Sequence, residues 1–148
     1  MTRVNVGQLR EIAEVEFSDI VVGTIIPDIN ELRIILSDGS FLDIWFSLKL
    51  KDRYSYHWER RALDGSIYRH DNAPHKRWRT VGTFPNHFHK GSEYDVFESH
   101  LSKSPTEALR EFLLFIRGKL IPDSRCLLPN ACYIILKTLE EVKLCYLC

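Results

Sequence analysis

The sequence has no cysteine before Cys126, no net charge, and no apolar run approaching the roughly 20 residues that a membrane helix needs. Each absence excludes something. The N-terminal stretch MTRVNVGQLREIAEVEF lacks an apolar core followed by a small-residue cleavage site, so no secretory signal is read and a cytoplasmic protein is expected. Cys126, Cys132, Cys145 and Cys148 are confined to the tail, where a reducing cytosol would leave them as free buried thiols. A zinc site there is poorly matched, because only Cys145 and Cys148 have the close CxxC spacing and the other pair is looser. Zero net charge argues against a general polyanion binder.

The charge that is present is unevenly distributed. Residues 1–48 carry three Lys+Arg against eight Asp+Glu, residues 49–90 carry ten against four, and residues 91–148 carry seven against eight. One basic face on an otherwise acidic body favours an anionic ligand at a single site. Five of the six histidines, His57, His70, His75, His87 and His89, fall between Tyr54 and Lys90, and His100 follows ten residues later. A length of 148 residues with 45% apolar side chains supports one core and does not require two.

In chain order, Val6 to Val15 places Val6, Leu9, Ile12 and Ala13 at helical spacing. Five segments then read as strands: FSDIVVGTII, INELRIILS, FLDIWFSLKL, YSYHWERRA and SIYRHDN. Asp38-Gly39 and Asp64-Gly65 are turn dipeptides between them. An α+β fold follows, an antiparallel meander of about five strands packed against one or more helices in a single domain. Period two puts Tyr54, Tyr56 and Trp58 on one face, the better candidate for the core, and Ser55, His57 and Glu59 on the other. Pro74 ends the fifth strand, and residues 75–90 read as a long basic and aromatic loop wrapping over one sheet face. Ser104, Pro105 and Glu107 match a capping box opening a helix to Leu120. Its expected stripe is Ala108, Leu109, Phe112, Leu113, Phe115 and Ile116. Asn130 to Leu147 could form a further helix, and nothing in the tail looks catalytic.

The segment 69–75 packs Arg69, His70, Asp71 and His75 together. An RNA phosphodiester is cleaved without metal when one group removes the 2′-OH proton, a second protonates the leaving 5′-oxygen and a cation steadies the phosphorane. Histidine suits the first two tasks near neutral pH, and Arg or Lys the third. His57, Arg69, His70, Asp71, His75, His87 and His89 are therefore the candidate catalytic residues, set against a structural polar network in which Asp71 and Asn72 bond the backbone. In the sharpest form His75 and either His57 or His87 exchange protons, Arg69 and Arg77 hold the phosphate, and Asp71 orients an imidazole. Trp78 between Arg77 and Arg79, with Arg60, Arg61, Lys76 and Lys90, forms a candidate nucleic-acid surface, although the aromatics could equally anchor the loop. If extended, His87 and His89 would face one side and could bind a transition metal with His75 or Asp71. No HExxH or matched carboxylate set accompanies them, and no metal or other cofactor is expected.

The runs YSYHWERR, YRHDNAPHKR and TFPNHFH, with a following GSE and the helix SPTEALREFLLFIR, together resemble the TumE-like toxins of bacterial and archaeal toxin–antitoxin pairs over roughly residues 15–120. The positions carried over are Tyr56, His57, Arg69, Asp71, Asn72, Pro74, His75, Phe84, Pro85, His87 and His89, without individual roles. The resemblance implies a small toxin domain over residues 1–120, with the Cys-containing extension 121–148 on or beside it. It also implies a helix-turn-helix antitoxin as partner, growth inhibition through RNA, and hence an endoribonuclease; a homodimer is compatible with it. Two departures stand out: Asn86-His87 occupies the place of the family's usual His-His, and family chains generally stop near the end of the capped helix. The alternatives are a non-catalytic nucleic-acid-binding module using residues 75–90, or a protein-interaction domain.

Overall fold

A computed structural model of the chain describes residues 3–122. The expected tail helix, the cysteines and nearly all of the 121–148 extension lie outside the described residues. Compactness divides the chain into Met1–Leu113 and Leu114–Cys148; the site and almost all described structure belong to the first unit.

The meander has seven strands: β1 (Val21–Ile25), β2 (Glu31–Leu36), β3 (Phe41–Phe46), β4 (Tyr54–Arg60), β5 (Ser66–Asp71), β6 (His87–Lys90) and β7 (Val96–Glu98). They lie in sequence order, every neighbour antiparallel. The α+β meander read from the sequence is therefore present with two further strands, both beyond the proline that ends β5. Gly39 and Gly65 have φ of 86° and 77°, values that an L side chain adopts only with strain, which is why Gly follows Asp at both turns. The Asp64-Gly65 turn carries a short helix, α2 (Arg61–Asp64), where the fourth strand was expected to continue.

The cross-strand register sorts the side chains. Leu32, Ile34, Leu42, Ile44, Tyr56 and Trp58 lie on one face, all at most 2% exposed. Each fully buried aliphatic side chain contributes about 1.5–3 kcal/mol in transfer free energy. The Tyr56/Trp58 face is thus the core, as the period of two predicted, while Tyr54 at its end is half-buried. Trp58 Nε1 donates to Ser40 Oγ at 2.8 Å, which satisfies the indole where water cannot reach it.

Helix α1 (Val6–Glu16) begins at Asn5, whose side chain accepts from the Gln8 N–H at 3.0 Å, and buries Val6, Leu9, Ile12 and Ala13 as expected. Helix α3 (Pro105–Leu120) buries Ala108, Leu109, Phe112, Leu113 and Ile116, with Phe115 only half-buried. Its expected capping box is not formed. Ser104 Oγ pairs with Thr106 Oγ1 at 3.1 Å, and Glu107 is drawn to Arg110 at 2.6 Å. Arg110 also grips both carboxylate oxygens of Glu16 at 2.8 Å, joining α3 to α1.

Candidate functional site

The opposite face of the sheet is polar because the same alternation continues through β6. His57 lies opposite Arg69, Arg69 opposite His89, and Asp71 opposite both Ser55 and His87. Facing residues of an antiparallel pair project to the same side, so the alternation along three neighbouring strands collects His57, Arg69, Asp71, His87 and His89 on one surface. The chain from Asn72 onward folds back over it through a 3₁₀ turn (Lys76–Trp78). The Trp78 ring lies 6.2 Å from His87 and 5.7 Å from His89, centroid to centroid. Below this cover is a cavity of about 480 Å³ lined by Arg53, Arg69, Asp71, His75, Arg77, Trp78, His87, His89, Glu93 and Tyr94, among others.

Hydrogen bonding fixes the tautomers of the two buried imidazoles. His87 Nδ1 donates to the Pro85 carbonyl at 2.8 Å, across a turn in which the Phe84–Pro85 peptide is cis. His89 Nδ1 donates to the Glu93 carbonyl at 3.0 Å. A carbonyl only accepts, so both Nδ1 atoms carry protons and both Nε2 atoms are left with lone pairs when the rings are neutral. His89 Nε2 accepts from Arg69 Nη2 at 3.2 Å. His87 Nε2 is buried, makes no hydrogen bond, and faces Asp71 Oδ1 at 3.3 Å. Two acceptors therefore confront one another in the absence of a shared cation.

Asp71 bonds both the backbone and a neighbouring side chain. Its Oδ1 accepts the Ala73 N–H at 2.9 Å, holding the turn, and its Oδ2 accepts from Arg69 Nε at 3.0 Å. The Arg69 guanidinium is further clamped by Glu93, Nη1 to Oε1 at 3.0 Å and Nη2 to Oε2 at 2.6 Å. The bond to Arg69 holds the Glu93 carboxyl below its ordinary range against the opposing effect of burial. Burial, reinforced by the adjacent Arg69 charge, lowers His89, so this ring is neutral near pH 7. Asp71, His87 and His89 each offer one metal-ligating atom, and the three atoms lie within 4.8 Å of one another; of the two third ligands considered from the sequence, Asp71 is the one in reach.

The remaining sequence candidates are dispersed. His70 is on the core face, stacked on Phe88 at 4.0 Å and edge-on to Phe112 at 5.0 Å, with Nδ1 against Ser99 Oγ at 2.7 Å. Burial pushes it down to about 4, so it is neutral and outside the cavity. His57 shares the polar face but pairs with Glu59 at 3.1 Å. Arg60 is held by Asp38 and Asp64 over the Trp58 ring, and Arg61 by Glu59. Lys90 lies on the core-face side, 6.0 Å from the Phe97 ring. Lys76, Arg77 and Arg79 are exposed on the covering turn, with Arg77 4.9 Å over Trp78. Asn86 does not line this cavity; its Oδ1 accepts from Tyr54 Oη at 3.1 Å.

The sequence reading missed Arg53, Glu93 and Tyr94 as cavity residues. Glu93 had one available signal, its place two residues after Gly91, whose φ of 92° turns the chain between β6 and β7. The turn brings its carboxylate back over the basic strand.

The family model described as Toxin TumE matches residues 10–120. No curated protein and no solved structure matches the chain.

Proposed function

Because the chain belongs to the TumE toxin family, we propose that it is the toxin of a toxin–antitoxin pair and acts as a metal-independent endoribonuclease in the cavity beneath Trp78. The observation that carries this reading is the buried His87 Nε2, its proton side fixed by Pro85 and its lone pair directed at Asp71. An imidazole so held can take a proton from the RNA 2′-OH and pass through the imidazolium state with Asp71 beside it. His75, exposed on the cavity wall, is the proposed acid that protonates the leaving 5′-oxygen. Arg53, Arg69 and Arg77 supply the positive charge for the phosphate. His89, neutral and bonded to Arg69, positions that guanidinium. The faces of Trp78 and of nearby aromatics can stack an unpaired base.

His57 and His70 are assigned no proton-transfer role in this mechanism, since neither lines the cavity. Lys76, Arg77, Trp78 and Arg79 form the proposed RNA approach surface; Arg60, Arg61 and Lys90 are tied up or on the other face. The expected partners are RNA and a helix-turn-helix antitoxin, in the cytoplasm, and residues 121–148 are an extension to the toxin domain, consistent with a family match that ends at residue 120. No helix among the described residues is long and apolar enough to cross a membrane. The test is a double substitution, His75→Ala with His87→Ala: retained RNA affinity with lost cleavage supports the enzyme, whereas a purified wild-type chain that binds RNA and never cuts it supports the binding module instead.

A further inference from the structure

We propose that Asp71, His87 and His89 form a binding site for a single divalent transition metal ion of the zinc class. Three features support it, and none depends on RNA. The first is the donor set, two imidazoles and one carboxylate with their ligating atoms within 4.8 Å of one another. A tetrahedral zinc with ligand bonds of about 2.0–2.2 Å separates its ligands by about 3.3–3.6 Å. His87 Nε2 to Asp71 Oδ1 is 3.3 Å and His89 Nε2 to Asp71 Oδ2 is 3.8 Å, so small side-chain adjustments close the set on one ion.

The second feature is the surroundings of the ligands. Metal-ligating histidines characteristically donate their other ring N–H to a carbonyl or carboxylate, which fixes the tautomer and aims the lone pair. Both rings do so here, His87 to the Pro85 carbonyl and His89 to the Glu93 carbonyl. The third is the His87 Nε2 atom itself. It is buried without a hydrogen bond beside a carboxylate oxygen, an arrangement that a cation between the two acceptors would satisfy. Arg69 competes at two of the ligands: Nη2 donates to His89 Nε2 at 3.2 Å and Nε to Asp71 Oδ2 at 3.0 Å. An entering ion displaces the contact to His89 and shares the Asp71 carboxylate with Arg69, which retains both Glu93 oxygens. The three ligands line the cavity, so the ion's remaining coordination position opens into it, where a water or a phosphate oxygen can enter.

The consequence for activity rests on the function proposed above. The ion uses the same His87 lone pair that proton transfer requires, so metal loading and metal-free cleavage exclude one another at this cavity.

The test is zinc binding by calorimetry on the chelator-treated full-length chain, with Cys126, Cys132, Cys145 and Cys148 replaced by serine so that tail thiols do not report. One zinc per chain is expected, weakened by about 10–100-fold or more in His87→Ala and in Asp71→Asn, and unchanged in His57→Ala. Thermal melting checks that each variant is folded. Should one unfold, Co²⁺ added to the chain with these three residues intact gives a second reading, the visible bands of a four-coordinate nitrogen–oxygen ion. No zinc bound, or binding indifferent to His87 and Asp71, overturns the site. A chain that binds zinc through these residues yet cleaves no RNA keeps the site and removes the enzymatic reading; one that cleaves RNA and binds no zinc removes the site alone.

Discussion

Truncating His87 to alanine removes the one imidazole whose Nε2 is buried, unbonded and set against Asp71. The RNA cleavage rate of His87→Ala is expected to fall by about 10²–10⁴-fold, the usual contribution of a positioned acid or base, with RNA affinity retained. His70→Phe, which keeps the stack on Phe88, is expected to cleave at the unmutated rate; a large loss there would place His70 in the reaction despite its position in the core. Glu59 offers a pH test at the same scale. The bond to Arg61 holds its carboxyl down to about 2, below its ordinary 4.5. A lowered folded-state value means that the unfolded chain takes up the proton first, so the stabilisation is complete above about 4.5 and is lost as pH falls toward 2. The amide in Glu59→Gln removes that titration, and the fall in urea midpoint between pH 5 and pH 3 should become shallower. An unchanged slope would show that other carboxylates dominate acid unfolding.

At the scale of elements, β4 connects the core to the site, with Tyr56 and Trp58 buried on one face and His57 and Glu59 on the other. Trp58→Ala is expected to cost about 3–5 kcal/mol in urea unfolding, from the cavity left and the indole bond to Ser40 lost; less than about 1 kcal/mol would mean that the sheet collapses around the gap. The first five strands were legible because Asp-Gly turns separate runs whose alternation is covered on one face only. Strand β6 was not. In HFHK both faces are occupied, His87 and His89 buried under Trp78 and Phe88 packed toward Phe112, so histidines stand at the positions where apolar residues would mark a strand. Gly82, Pro85 and the short span reinforce a loop reading. The parity that places His87 and His89 on one side was legible once extension was assumed; what sequence could not supply is which of six histidines meet Asp71, because that depends on the register between β5 and β6. Glu93 was hidden for a similar reason, reaching Arg69 across a turn rather than along a strand.

For the whole molecule, the near-balance of charge limits how RNA can be held. Arg69 shares its charge with Asp71 and Glu93, so Arg53 and Arg77 on the cavity wall, with Lys76 and Arg79 on the exposed covering turn, supply most of the phosphate contacts. Two to four such contacts give a slope of log affinity against log salt between about −1.4 and −2.8 for single strands. Filter binding from low to moderate salt checks it, and a slope several times steeper would require a second basic surface. The measurement that bears most directly on the enzymatic assignment is incubation of chelator-treated full-length protein with a mixed RNA pool, followed by mapping of the product ends. Cleavage in chelator leaving 2′,3′-cyclic phosphate ends, abolished in the His75→Ala, His87→Ala chain and suppressed when zinc is added back, is the predicted result. Intact RNA under all conditions, or cleavage that appears only with added metal, would contradict a metal-independent histidine mechanism beneath Trp78.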